Sequence, residues 1–158
     1  MSGITYIKGD ATCPQAKGVK LICHICNDIG GWGKGFVLAL SKRWDEPEAE
    51  YRKWHATGKN GGFELGAVQF VQVEQYIWVA NMVGQRGTKR GSSGPPIRYD
   101  AVATSLTQVT EKAKELNASV HMPRIGCGLA GGEWSKIEPL IDASLIAAGV
   151  PVTVYDFE

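Results

Sequence analysis

No stretch of this 158-residue sequence approaches the roughly 20 apolar residues that a membrane-crossing helix needs. The opening "MSGITYIKGD" contains no long apolar segment, so no export signal is expected. Neither sign of charge prevails: 17 Lys and Arg face 16 Asp and Glu, for a net charge of +1. With that balance no broad electrostatic field favours nucleic acid or an acidic membrane, so large-scale binding to nucleic acid is not expected. A small polyanion site stays open. Cysteine and histidine are both scarce. With no export signal, the four thiols at Cys13, Cys23, Cys26 and Cys127 read as reduced, which points to the cytoplasm.

The standard nucleotide and hydrolase motifs are missing as well. "GGWGKGF" lacks the spacing of a P-loop and the hydroxyl after its lysine, and "GDATCPQAKG" holds no G-x-G-x-x-G. "IGCGLAGG" has no serine where a nucleophile elbow requires one.

The length suits one domain, residues 1–158, with a core of useful size. "ITYIK" reads as a first strand, Ile4 to Lys8, and the apolar run from Val19 to Ile25 as a strand buried on both faces. "FVLALSKRW" continues as a helix. "EPEAEYRKWHA", with an aromatic stripe at Tyr51 and Trp54, reads as an exposed helix with its acids at the N-terminal end. "AVQFVQVEQYIWVANMV" predicts two strands that reverse near Glu74 and Gln75, and "GQRGTKRGSSGPP" a loop. Helical spacing links Tyr99, Val102, Leu106, Val109, Ala113 and Leu116, and again Trp134, Ile137, Leu140, Ile141 and Leu145, with Gly149 ending the latter helix. "ASVHMP" and "PVTVYDF" are the remaining strands. Strands alternating with helices give an α/β domain whose sheet is mainly parallel and, through the adjacent middle strands, mixed.

Two glycine clusters, "GGWGKG" and "GCGLAGG", each follow a strand and precede a helix. Ligands of open α/β sheets bind at that junction, where glycine lets the backbone approach and helix-start N–H groups attract anions. Either cluster alone reads as a turn. The pair suggests a diphosphate held from both sides. "CHIC", Cys23 to Cys26, has C-x-x-C spacing but lies inside a strand pattern and lacks a second ligand pair, so neither a zinc nor a redox site is expected. His24 reads as a satisfied core histidine, and Cys127 as a small packing residue among glycines.

"GDAT", "HICN…GGWGKGF", "VANMVGQ", "MPRIGCGLAGGEW" and "VTVYDF", in this order and over nearly the whole chain, resemble the macrodomain family. They are most similar to the branch of terminal ADP-ribose glycohydrolases that act on modified glutamate, and to related bacterial proteins. The resemblance implies a three-layer α/β/α sandwich that binds ADP-ribose or ADP-ribosylated protein, with no metal and no cofactor. It implies that Asp10 accepts a hydrogen bond from the adenine amino group, with the Ala11 N–H near the same base. Asn27 lies beside the distal ribose. Gly33, Lys34, Gly35 and Phe36 form the first phosphate loop, and Gly126, Cys127, Gly128, Leu129 and Ala130 the second. Asn81, Met82 and Val83 lie below the adenosine side, while Tyr155 and Phe157 pack near the adenine.

Two positions depart from that branch. Ala130 stands where relatives carry an aspartate, and Gln85 and Arg86 lie near the place of their lysine. The expected activity is hydrolysis of O-linked ADP-ribose, from glutamyl or aspartyl esters or O-acetyl-ADP-ribose. Binding supplies much of the effect, and Asn27, Asp28 and Gly33 are the candidate catalytic positions. A reader that binds without turnover and an ADP-ribose 1''-phosphate phosphatase are the alternatives.

Overall fold

The computed structural model describes residues 3–89, 91 and 94–156. Its strands are β1 (Thr5–Lys8), β2 (Lys20–Asn27), β3 (Val68–Glu74), β4 (Ile77–Gln85), β5 (Ser119–Met122) and β6 (Val152–Asp156). Its α-helices are α1 (Phe36–Arg43), α2 (Glu46–Thr57), α3 (Tyr99–Leu116) and α4 (Trp134–Ile141). One sheet runs in the order β1-β6-β5-β2-β4-β3. Every neighbouring pair is parallel except β3 and β4, which pair antiparallel across the turn at Gln75 and Tyr76.

Alternation along β2 builds the three layers. Leu21 and Cys23 enter the core beneath α3 and α4, with Val102, Leu106, Ile137 and Ile141. Ile22 and Cys26 face the other way, toward Val37, Leu40 and Tyr51 of α1 and α2. Each face of a strand pairs with one helical layer because successive side chains point to opposite sides. The α/β/α sandwich and the mixed, mainly parallel sheet expected from the sequence are both present. The parallel strands also end on one edge, so the loops after β1, β2, β4 and β5 gather there.

Two local expectations need correction. α2 is less exposed than its polar composition suggests, because Tyr51 is fully buried and packs on Trp32 and Phe63. Second, the last helix is not one regular α-helix to Gly149. α4 carries Pro139 inside it and passes at Asp142–Ile146 into a wider π-helical turn, with the Ser144 hydroxyl donating to the Leu140 carbonyl. Proline lacks the N–H of a regular helical ladder, and a side-chain donor on a nearby carbonyl competes with that ladder. No helix among the described residues is long and apolar enough to cross a membrane.

Leu106 is fully buried between α3 and the sheet. Leu106→Ala should destabilise the fold by about 2–5 kcal/mol, read as a lower urea midpoint with unchanged slope. A negligible shift would mean that this layer does not form.

Candidate functional site

The first glycine loop is folded around the side chain of Asn27, at the end of β2. Its Oδ1 accepts from the N–H groups of Ile29 and Gly31, at 3.0 and 2.9 Å. Its Nδ2 donates to the Gly31 carbonyl at 3.0 Å. From the core, the Tyr51 hydroxyl lies 2.6 Å from the Asn27 carbonyl and 2.9 Å from Oδ1. Gly30 sits at φ 79°, and a Cβ there would come within 2.5 Å of the His55 ring, so only glycine fits the turn. Asp28 leaves the loop to accept the Gly87 N–H at 2.7 Å, which ties the loop after β2 to the loop after β4. Trp32 is buried, with its indole N–H donating to Ser41.

The second loop is braced from behind. Gly132 N–H donates to the Gly126 carbonyl at 2.7 Å, and Ile97 N–H to that of Ala130 at 3.1 Å. Gly126, at φ 75°, has no room for a Cβ because Ile97 lies 2.7 Å from that point. Gly128 differs, with open space in front of its missing side chain and no positive φ. Arg124 clamps the base of the loop. It forms a two-point ion pair with Asp156, at 2.6 and 3.1 Å, and its guanidinium lies over the rings of Tyr6 and Trp134. The pairing holds the Asp156 carboxyl below its ordinary pKa.

Three adjoining cavities cross this edge of the sheet. One, of about 320 Å³, is lined by Gly9, Asp10, Ala11, Phe36, Ala39 and Tyr155. A central one of about 220 Å³ shares Gly35 and Phe36 with it and adds Arg124, Gly126, Gly128, Leu129 and Ala130. The third, of about 360 Å³, shares Lys34, Gln85 and Leu129 with the central cavity and continues to Asn27, Gly31, Gly33, Thr88 and Lys89. The cleft thus brings together Asp10, Ala11, Asn27, the Gly33 to Phe36 segment, Gly126, Gly128, Leu129, Ala130 and Tyr155. One oxygen of Asp10 is engaged by the N–H and hydroxyl of Thr12, leaving the other oxygen without a hydrogen-bond partner among the described residues.

Other expected positions lie elsewhere. Asn81, Met82 and Val83 are completely buried and line none of these cavities; Asn81 bonds His24, Gln69 and the Pro47 carbonyl inside the α2 side of the core. They sit a step too early on β4, whose contribution to the cleft is Gln85. Cys127 also faces away from the cleft and packs against the α3–α4 core, where burial pushes its thiol pKa up. Phe157 falls outside the described residues. Sequence reasoning did not pick out Ile25, Thr88, Pro123 or Arg124 as lining residues. For Arg124 the available signal was its place in "MPRIGCG", between a strand end and the glycine loop.

The C-x-x-C thiols point to opposite faces of the sheet, Cys23 toward α3 and Cys26 toward α2, so they cannot share a metal or a disulfide. No cluster of metal-ligating side chains occurs among the described residues. His24 is a core histidine bonded to Asn81, and His121 is held between Ser119 and Tyr155, both at 2.7 Å. Burial lowers both imidazoles from 6.5 to about 4, with Lys20 adding to the effect on His121. The folded chain therefore keeps them neutral where the unfolded chain takes up protons. Stability should be insensitive to these groups above pH 6.5 and fall as pH drops below it, with a slope approaching about 1.4 kcal/mol per pH unit for each histidine. Urea midpoints between pH 7 and about 5, before carboxylates titrate, check the sign; flat stability there would overturn it.

The chain is 61% identical to a macrodomain protein from Streptomyces coelicolor, with a TM-score of 0.88 and coverage of 97% of this chain and 98% of that one. It is 60% identical to a Bacteroides thetaiotaomicron protein of unknown function, with a TM-score of 0.94 and 97% of each chain covered. Curated relatives include the zebrafish (Danio rerio) chromodomain-helicase-DNA-binding protein 1-like, 34% identical over 98% of this chain. The chain spans only 16% of that protein's length, and 18% of its mouse (Mus musculus) counterpart's. The Homo sapiens ADP-ribose glycohydrolase OARD1 is 24% identical, covering 98% of this chain and 91% of its own. A Saccharomyces cerevisiae ADP-ribose 1''-phosphate phosphatase is 23% identical, covering 98% and 99%. No protein-family model matches the chain. Identity of 61% across nearly all of a solved macrodomain, on the same fold, establishes that this chain belongs to the macrodomain family.

Proposed function

We propose that the cleft binds ADP-ribose and that the protein hydrolyses ADP-ribose linked through an acyl oxygen to a carboxylate. The order of chemistry along the cleft carries this reading: a carboxylate at one end, glycine loops in the middle, and an amide and cations at the other end. Adenine would meet Asp10 and Ala11 between Phe36 and Tyr155. The free Asp10 oxygen suits an exocyclic amine, a donor that guanine does not offer at that position. The diphosphate would lie between Gly35 and the Gly126–Ala130 loop, where backbone N–H groups meet an anion. Asn27 and Gly33 would border the distal ribose. Relatives named for ADP-ribose glycohydrolysis and ADP-ribose 1''-phosphate hydrolysis support the ligand class.

Hydrolysis adds water across the bond between the anomeric carbon and the acyl oxygen, releasing ADP-ribose and the free carboxylate. A carboxylate is a stable leaving group, so the reaction needs less help from an acid than an amine or alcohol linkage does. That matches the distal cavity, whose described lining contains no Asp, Glu or His. The side chains of Asn27 and Asp28 are already engaged by the loops, so their role here is to hold the loops in place. Catalysis then rests on orientation of ribose and water against the fixed diphosphate. The same lining favours, as a second reading, a module that binds without turnover.

Incubation with a protein carrying glutamate-linked ADP-ribose should release free ADP-ribose. Tight calorimetric binding without release would leave the second reading, and no binding at all would remove both. Gly128 has space for a side chain, so Gly128→Glu should fold normally and place a carboxylate against the diphosphate, weakening binding roughly 100-fold or more. Unchanged affinity in a folded variant would mean that the phosphates lie elsewhere.

A further inference from the structure

The distal end of the cleft carries more positive charge than a neutral sugar can use. Lys34 and Lys89 both line that cavity. Lys34 also lines the central cavity, where it would face the diphosphate. Lys89 lines the distal cavity alone. Arg86, earlier on the same loop, is exposed and lines none of the three cavities. Neither Arg86 nor Lys89 has an ion-pair partner among the described residues. The neighbouring carboxylate, Asp28, is half-buried and takes the Gly87 N–H.

The backbone at Arg86 and Gly87, where the loop leaves β4, is anchored. Arg86 N–H donates to the Pro96 carbonyl at 2.9 Å, the Gln85 amide to the Gly87 carbonyl at 2.9 Å, and Gly87 N–H to Asp28. Positive charge is therefore present inside the distal cavity at Lys89 and again at the exposed Arg86, three residues earlier on the same loop, in a chain whose net charge is only +1.

We propose that Lys89 and Arg86 form a docking rim for an acidic polypeptide, so that the preferred substrate is a glutamate- or aspartate-linked ADP-ribose flanked by further acidic residues. The proposal rests on the ADP-ribose reading of the cleft. A phosphate on the distal ribose would engage charge inside the cavity and leave Arg86 unused, whereas a polypeptide extending from the cavity would reach the exposed residues of the loop that carries Lys89. Exposed charges of this kind act through steering and salt-sensitive attraction.

Two peptides carrying one ADP-ribosyl group through a non-cleavable amide, one with acidic and one with uncharged flanks, test this alongside free ADP-ribose. In fluorescence polarisation the acidic peptide should bind about tenfold more tightly at about 50 mM salt, and the gap should close by about 300 mM. Arg86→Glu should abolish the preference and leave the affinity for free ADP-ribose unchanged. Lys89→Glu should also abolish the preference. Equal affinity for the two peptides, a preference that survives Arg86→Glu, or tighter binding of an ADP-ribosylated oligonucleotide than of the acidic peptide would overturn the docking rim and leave the ADP-ribose reading standing. Failure to bind free ADP-ribose would remove that reading, and the rim with it.

Discussion

The amide of Asn27 turns a buried strand into a cleft-facing loop. β2 runs through the centre of the sheet, apolar on both faces, and must leave the core abruptly. A turn leaving the core needs partners for those backbone groups that water does not reach, since each one left unsatisfied costs roughly 1–3 kcal/mol. Asn27 supplies an acceptor for two N–H groups and a donor for one carbonyl within a few residues. Tyr51 then ties the same residue to α2. The position of Gly31 to Gly35, and with it one wall of the cleft, follows from that bracket. Because its amide is consumed in this way, Asn27 shapes the site from beneath.

Periodicity made the fold legible. The helix from Tyr99 to Leu116 and the central strand follow from spacing and apolar runs, because a parallel sheet covered on both faces leaves its pattern in every buried strand. The stripe of Tyr51 and Trp54 was visible in the charged helix, but the full burial of Tyr51 was not, because it depends on tertiary partners: the rings of Trp32 and Phe63 and the backbone of Asn27. Asn81, Met82 and Val83 escaped for a different reason. The resemblance fixes a segment, but whether a strand residue faces the core or the cleft depends on where the strand ends, and β4 extends to Gln85. Cys127 lies within a cleft-facing loop, yet its side chain turns to the core. Loop membership is visible in a sequence and side-chain direction is not.

Near neutrality and an anionic ligand are compatible because the charge complement is local. The proposed diphosphate would meet backbone N–H dipoles held by a rigid frame, which need no net charge on the protein. That frame is fixed by tight contacts: Gly126 against Ile97, the Gly132 bond to Gly126, and the Arg124 clamp on Asp156. Preorganised dipoles stabilise a bound anion without reorganising when it arrives. The glycines therefore serve two purposes. Some, such as Gly126, allow close packing behind the loop. Others, such as Gly128, leave space open in front of it.

Ala130 bears on how much chemistry such a frame can perform. Its methyl group belongs to the α3–α4 core and its carbonyl accepts from Ile97, so the loop closes against apolar packing. An aspartate at this position would bring a carboxylate to the edge of that apolar cluster and would need its own hydrogen-bond partners. With alanine, the loop gains rigidity and gives up an acid or base. An acyl-linked sugar can tolerate that exchange, because its leaving group departs as a stable anion and orientation supplies much of the remaining barrier reduction. An amine-linked sugar is less tolerant, because its leaving group needs a proton. Under the proposed hydrolysis, a packing residue in place of the acid would narrow the linkages open to this cleft and would still permit the acyl one.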